Sequence, residues 1–539
     1  MAATPDRISK AAALLAIFIC LGFAAFTHHA WEDYLITFRA SLNLATGHGL
    51  VYQPGERVHS FTSPLGTLLP ALFALGGGPG VEIRALWLFR LASAAALAAA
   101  LHLAARKFHR DRLTPWATLL ACGLWLFDPK IVDFSINGME TALLIFFVII
   151  TWRALVDGAR LWPSALGFAG LQWTRPDGFV FCGALALAWL CWGEKSSAAL
   201  ERKPWPAIAR AAALGAVLYL PWMLFAWLYY GSPIPHTIVA KQFSHPLVET
   251  VASLMLYPVR LLVGHVALHD IFMPAYFYFG GWPPVLAWFA RLLGVGGALA
   301  WLWPGVKPAG RVASAALFLG GFYLQYIPGS PWYFPGWQVL ACIAWAYLLD
   351  AVENRVVRSG RLRNSPFPLI VRTTGLLLVV LQLALLIAVA WQMRQQQGLI
   401  ETNHRREIGL WLQGHALRQD RVYLEPLGYI GYYSGLKMLD NPGLAAPEVV
   451  AARRAGQTSH AQIIAALKPE WLVLRPDQVQ AVNESAPSLL ERDYRVARIF
   501  DVRDQINAVR FLPGRGYLDF DARFFVYARV AAASPHDNR

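Results

Sequence analysis

The chain is short of charge. Of its 539 residues only 15% are Asp, Glu, Lys or Arg, while 56% are hydrophobic and the mean hydropathy is +0.41. A soluble fold of this length carries a larger charged share, so that class is excluded. Acids are scarcer than bases, 33 against 47, which leaves a formal net charge of +14. No RNA- or DNA-binding motif accompanies the excess. It therefore speaks for membrane topology and anionic lipid, not for nucleic acid. Cysteine is scarce as well. Cys20, Cys122, Cys182, Cys191 and Cys342 all fall inside apolar runs, with no CxxC or Cys/His metal spacing. Neither a disulfide framework nor a metal site is expected.

What the chain has in quantity is apolar runs of the length that crosses a bilayer core of roughly 30 Å. About eleven spans are predicted, at 11–28, 83–105, 113–128, 140–156, 161–174, 178–193, 208–230, 283–304, 310–328, 332–350 and 368–392. The run Pro64–Leu75 is too short and ends in Gly-Gly-Gly-Pro-Gly, so it reads as an interfacial or re-entrant helix. The first run follows a basic flank but offers no small-x-small cleavage site in "AFTHHAWEDY", as a retained signal-anchor would.

Basic residues then set the orientation. They gather in alternate loops: Arg7 and Lys10, "RKFHRDR" at 106–112, Arg153 and Arg160, "EKSSAALERK" at 194–203, Lys307 and Arg311, and "ENRVVRSGRLR" at 353–363. By the positive-inside bias these loops are cytoplasmic. The others face out: 29–82, 129–139, 175–177, 231–282, 329–331 and everything after Trp391. This reading predicts a transmembrane domain over 1–392, with outer loops 29–82 and 231–282, and an external domain over 393–539.

That tail changes character. β-like runs "RVYLEP", "KMLDN", "EWLVLRP", "YRVARIF" and "FFVYARV" alternate with helical segments such as "SHAQIIAAL" and "DQVQAV". The alternation predicts a small α/β domain. It holds no nucleophile elbow, Gly-rich phosphate loop or metal cluster. "GYIGYYSG" reads as a Gly- and Tyr-rich loop, either an ordinary turn or a sugar-stacking surface.

Outward acids on a multi-span body narrow the chemistry. The external face lacks ATP, and glycosyl transfer from a lipid-phosphate sugar is one reaction that proceeds without it. It needs a base for the acceptor hydroxyl and cations for the donor phosphate. Glu32 and Asp33 open the first outer loop. On a helix they diverge by about 100°, so only one faces a cleft. Asp33 shares a face with Thr37, and Glu32 with Ile36 and Arg39. The competing reading makes both acids favourable charges at a helix N-terminus. "TSP" at 62–64 supplies hydrogen-bonding groups and also reads as an N-cap before Pro. Arg90 and Arg291 lie inside apolar runs, where an unpaired cation is costly, so each should face a cleft or a lipid phosphate or snorkel outward. "PGSPWYFPGW" at 328–337 reads as an aromatic belt in which Tyr333 can also stack on a sugar.

At this point the first outer loop becomes specific. "EDYLITFRASLNLATGHGLVYQPGERVHSFTSPLGTLL" resembles that of the polyprenyl-phosphate-dependent GT-C glycosyltransferases, in the branch of the terminal arabinofuranosyltransferase of mycobacterial cell-wall arabinan. "SINGMETALL" at 135–144, "TRPDG" at 174–178, "YYGSPIPHTIVAK" at 229–241 and "LGYIGYYSGLKMLDNPGL" at 427–444 are similar to further motifs of that family, in the same order. The resemblance covers nearly the whole chain. Glu32 departs from it where the family has a first Asp, as do His59-Ser60 for Glu-Gly, Gly66 for Trp and His236 for Asn.

The resemblance implies a bacterial inner-membrane transferase that moves a sugar, arabinofuranose among the candidates, from a polyprenyl-phosphate donor to an extracytoplasmic glycan, lipid or protein. Inversion is implied, with Asp33 as general base and Glu32 as second acid or the base itself. Arg39, His59, Thr62, Ser63, Asn137, Glu140, Arg175, Asp177, His236, Lys241 and Tyr333 are the implied substrate-binding residues. Lys241, His236 and Arg175 would hold the phosphate. Competing readings make Arg175–Asp177 a structural ion pair, Glu140 a helix cap and Lys241 an interfacial anchor. No nucleotide or protein metal site is implied; a divalent ion bridging phosphate and Asp33 is compatible with the pattern. Two rival functions are a lipid or glycan transporter and a non-catalytic polysaccharide-binding membrane protein. The first predicts inverted repeats and midplane charges, neither of which is found.

Overall fold

A computed structural model describes residues 5–193, 205–241, 247–327, 329–358 and 365–530. The basic loop 194–203 and residues 359–363 of the last basic loop lie outside the described residues. Each of the eleven apolar runs is helical. In chain order the first elements are α1 (Pro5–Thr27), α2 (Glu32–Ala45), α3 (Pro64–Phe73), α4 (Val81–Arg110) and α5 (Pro115–Leu126). Next come α6 (Pro129–Ile136), α7 (Thr141–Val156), α8 (Leu161–Thr174) and α9 (Gly178–Trp192). Helices Trp205–Tyr230, Leu286–Leu299, Pro308–Leu324, Pro335–Arg358 and Phe367–Gln395 complete the bundle. Among the described residues five helices are long and apolar enough to cross a membrane, or six with one bent pair counted as a span. The other apolar-run helices, of 12 to 17 residues, are shorter than a typical span.

Local chemistry explains the helix starts. Ser63, Thr114 and Asp128 each accept a hydrogen bond from the first turn of the helix that follows, and each precedes a Pro. That pairing of cap and Pro ends the preceding loop cleanly. The third cap corrects an expectation. Residues 129–139, read as an outer loop, form α6 and a tight link folded back at 115° to α7. Ile131, Val132, Phe134 and Ile136 are all buried, which is why the segment packs inside. The outer loop 231–282 likewise holds structure, chiefly a helix at Leu247–Val263.

The tail carries a five-stranded mixed sheet of β1 (Arg421–Leu424), β2 (Lys437–Asp440), β3 (Trp471–Leu474), β4 (Tyr494–Asp501) and β5 (Arg523–Arg529). Their order is β2-β1-β3-β5-β4. The first three run parallel, and β5 pairs antiparallel with β3 and β4. All five β-like runs are strands. Val422, Leu424, Met438, Val473 and Val526 bury on one face, with Ile36 and Tyr52 of the bundle in the same cluster.

The sheet domain is clamped to α2. "GYIGYYSG" is not a loop but a buried helix, Gly428–Ser434. Its glycines have a packing reason: a Cβ at Gly428 would strike the backbone of Glu32, and one at Gly431 the hydroxyl of Tyr52. Arg39 completes the clamp. Its guanidinium donates to the carbonyls of Gly431 (2.7 Å), Gly435 (3.2 Å) and Leu436 (3.0 Å) and lies 4.3 Å from the Tyr52 ring centre. Arg39, expected to bind substrate, is thus engaged at the domain junction.

Candidate active site

Beneath the sheet domain, the first turns of α2 meet α3, the α6–α7 link and the α8–α9 turn around a polar cavity of about 80 Å³. Asp33 and Thr37 enter it from α2, Thr62 and Ser63 from the start of α3, and Glu140 and Arg175 from the far wall. Thr237 and Lys241 close one side and Tyr333 another. Five other chain segments thus converge on Asp33.

The Asp33 carboxylate has no hydrogen-bond or ion-pair partner among the described residues; only its main-chain carbonyl is engaged, by Thr37 Oγ1 at 3.1 Å. Burial pushes its pKa above the usual aspartate range, with the positive charges of Lys241 and Arg405 working against that rise. The geometry is that of a carboxyl group poised to take a proton. Lys241 likewise has no carboxylate within ion-pair distance among the described residues.

The far wall is saturated by contrast. Arg175 bonds Glu140 at 3.1 Å and Asp177 at 2.8 Å, and its guanidinium sits 4.4 Å from the Tyr333 ring centre. Tyr323 donates to Asp177 at 2.8 Å. Ser63 keeps both of its expected parts: it lines the cavity and accepts from Gly66 N at 2.8 Å. Gly138, in the α6–α7 link, has φ +102° and abuts the Tyr34 ring, so a side chain there meets both strain and a clash.

Other expected residues lie elsewhere. His59 is buried in an aromatic cluster, stacked on Tyr230 at 4.6 Å, and its ring nitrogens have no partner. Burial lowers its pKa to about 4, so it offers phosphate no charge at neutral pH. His236 donates its main-chain N–H to His59 O (2.8 Å), and its ring lies near Gly443 and Arg454 of the sheet domain, outside the cavity lining. Asn137 is fully buried behind the wall, where its Oδ1 accepts from Met139 N at 3.3 Å. Arg291 donates to Leu262 O at 2.6 Å, far from these groups in the chain and absent from the cavity wall.

Glu32 points the other way from Asp33. It accepts from Gly428 N at 3.1 Å and from Arg405 at 3.1 Å. Arg405 also bonds Glu401 at 2.9 Å and Asp521, and Arg475 bonds the far oxygen of Asp521 at 2.5 Å. Burial, then Glu401, Asp521 and Asp33, push the Glu32 pKa up to about 7 against the pull of Arg405. Burial also works against Asp521, but Arg405 and Arg475 outweigh it and hold that carboxyl below its usual range. Nothing in local sequence marked Glu401, Arg405, Arg475 or Asp521 as a set. Among the described residues no group of three or more His, Cys, Asp or Glu is placed to hold a metal.

A second, apolar cavity of about 600 Å³ lies behind the same wall, between α8, α9 and the helix Trp205–Tyr230. Consecutive residues face the two spaces: Arg175 and Thr237 the polar one, Pro176 and Ile238 the apolar one.

Comparisons with known proteins bear on this arrangement. Residues 391–527 match a family described as a domain of unknown function (DUF8728). The terminal beta-(1->2)-arabinofuranosyltransferase of Corynebacterium glutamicum is 29% identical over 237 residues, 40% of this chain and 33% of the relative. That of Mycobacterium tuberculosis is 26% identical over 251 residues, 44% of this chain and 38% of the relative. Each alignment thus spans only 33% to 38% of the relative's length. The crystal structure of ArnT from Cupriavidus metallidurans bound to undecaprenyl phosphate superposes over 99% of this chain and 100% of that one, with 13% identity and a TM-score of 0.51. The chain is a multi-pass membrane protein of the GT-C fold, with terminal arabinofuranosyltransferases among its sequence relatives.

Proposed function

We propose that the protein transfers a sugar from a polyprenyl-phosphate donor to an acceptor hydroxyl on the external side of the membrane, with inversion. The observation that carries this is the Asp33 carboxylate, unpartnered among the described residues, facing a polar cavity that also holds Lys241, which has no ion-pair partner among them. Asp33 removes the proton of the acceptor hydroxyl as the oxygen attacks the anomeric carbon. The carbon–oxygen bond to phosphate breaks on the opposite face, and polyprenyl phosphate leaves with the electron pair. Lys241 stabilises the charge that develops on it. Arg175 is already bound by two carboxylates, so it shapes the wall and orients Tyr333. The apolar cavity behind Pro176 and Ile238 fits the first isoprenoid units of the donor, whose phosphate then reaches Lys241 past Thr237. The ArnT structure was obtained with undecaprenyl phosphate, which agrees with a lipid-phosphate donor for this fold.

Sequence kinship to arabinofuranosyltransferases favours a furanose donor, and the distribution of basic loops favours an external sheet domain. Purified protein in nanodiscs, given polyprenyl-phosphate arabinofuranose and an arabinan oligosaccharide, is expected to release polyprenyl phosphate only with acceptor present. The new linkage should have the opposite anomeric configuration by NMR. Retained configuration, or full activity in Asp33→Asn, would sink the assignment.

A further inference from the structure

Helix α2 has a second cavity on its other side, of about 340 Å³. Tyr34 and Leu35 face it, whereas Asp33 and Thr37 face the polar cavity described above, so the helix separates the two spaces. The start of α4 supplies Trp87 and Arg90, and the π-helical stretch Gln396–Arg406 that follows the last bundle helix supplies Arg406. Arg405 and Arg406 therefore serve different sites: the first binds the carboxylates at the domain junction, the second enters this cavity.

Arg90 is 2% exposed, and its guanidinium donates to Ile136 O at 2.9 Å and His29 O at 2.6 Å. It also lies 4.8 Å from the Trp87 ring centre. The Arg406 guanidinium lies 5.2 Å from the Tyr433 ring centre, and its buried Nε has no hydrogen-bond partner. Among the described residues neither arginine has a carboxylate within ion-pair distance. Glu82, the carboxylate that lines the cavity, is hydrogen-bonded to Tyr432 instead. Carbonyls and aromatic faces orient these cations, the partly buried Arg406 and the buried Arg90, and Asp133 attracts Arg90 only from beyond ion-pair distance; a buried charge without a close partner is costly. The missing partner is an anion, and a guanidinium pair matches the several oxygens of phosphate. Ile83 and Leu91, on the same stretch of α4, are 59% and 50% exposed on a helix long enough to span a membrane. The cavity thus lies where a bilayer headgroup reaches it.

We propose that this cavity is a phosphate-binding site separate from the catalytic one, in which Arg90 and Arg406 hold a phosphate monoester or diester. Two sources share that chemistry, the headgroup of an anionic lipid and a soluble phosphate, and one experiment separates them. The full-length protein is placed in phosphatidylcholine nanodiscs, and its thermal midpoint is read with phosphatidylglycerol added to the disc or with glycerol phosphate added to the buffer. The wild type is expected to gain stability from at least one of them. A response to phosphatidylglycerol alone assigns the site to a lipid headgroup, and a response to both assigns it to phosphate from either phase. Arg406→Gln should need at least about tenfold more of the same ligand for the same gain, because a charge-assisted contact is lost. Arg406→Lys should keep part of the response. An Arg406→Gln protein that responds like the wild type overturns the proposal. If that variant does not fold, a wild type whose midpoint is unmoved by both additions overturns it as well.

Discussion

Glu32 and Asp33 are covalent neighbours that sit in opposite chemical worlds. At the junction with the sheet domain, Glu32 belongs to a set with Glu401, Asp521, Arg405 and Arg475, in which each carboxylate meets a guanidinium. In the cavity, Asp33 meets none, while the wall opposite spends Arg175 on Glu140 and Asp177. The difference follows from helix geometry: successive side chains diverge by about 100°, so a helix wedged between two bodies serves both with adjacent residues. A saturated cluster holds structure, whereas an unpartnered carboxylate beside a free cation is available for chemistry. Four experiments test whether that contrast holds.

The largest effect is expected for Asp33→Asn against Glu32→Gln. Loss of a general base costs about 10²–10⁴ in rate. Turnover of Asp33→Asn should fall by that factor with the protein still folded, while Glu32→Gln stays within a few-fold of wild type. Single-turnover assays on both decide it, and equal losses would erase the distinction between the two acids.

Next comes Arg405→Met. It leaves Asp521 with Arg475, and Glu32 and Glu401 with no guanidinium within ion-pair distance among the described residues. Breaking a buried pair from one side costs roughly 3–5 kcal/mol. The sheet domain should loosen from α2, visible as faster amide exchange in the helix Gly428–Ser434. Unchanged exchange there would mean that the Arg39 clamp alone suffices.

The contrast between these two regions also marks what could be read from the chain before any coordinates. The strands were legible because runs such as "EWLVLRP" and "YRVARIF" are short, rich in branched and aromatic residues and bounded by breakers. Asp33, Thr37, Thr62, Ser63, Glu140, Arg175 and Lys241 were legible through a resemblance in ordered motifs, and the fold brings them to one cavity. Arg39, His59 and His236 carried the same motif signal but do not line that cavity, because a motif records that a residue is needed and not why. The junction was illegible for a different reason. Gly428 and Glu32 bond across 396 positions, and no local periodicity reports a pairing at that separation.

A smaller effect is expected for Lys241→Met, which deletes charge while keeping most of the apolar stem. Loss of a charge-assisted contact to phosphate costs about 1.5–3 kcal/mol, roughly ten- to hundredfold in donor affinity. A second signature tests its link to Asp33. The base works only when ionised, so turnover falls as pH drops through its pKa. Lys241 lowers that pKa against the rise caused by burial. Its removal should therefore move the acid limb of the pH profile to higher pH. An unmoved limb would separate the lysine from Asp33 electrostatically.

The smallest effect is expected in the pH dependence of stability for Glu32→Gln. The folded state holds the Glu32 proton more tightly than the unfolded chain does, since burial raises its pKa from 4.5 to about 7. A group with a raised folded pKa contributes stability that is fully present below the unfolded value and is lost as pH rises through the folded one. Wild-type stability should thus decline across the window from 4.5 to about 7 by the share that Glu32 carries. Gln has the shape of the protonated acid, and its oxygen can still accept from Gly428 N. The variant should match the wild type at the acid end of that window and be slightly more stable at the neutral end, where the wild type must ionise a buried carboxyl. Thermal midpoints of both proteins at matched pH test this. A variant that loses stability only at neutral pH would show that the charged Glu32–Arg405 pair outweighs the cost of burial. The junction would then be held by that ion pair and not by packing of the glycine-notched helix on α2.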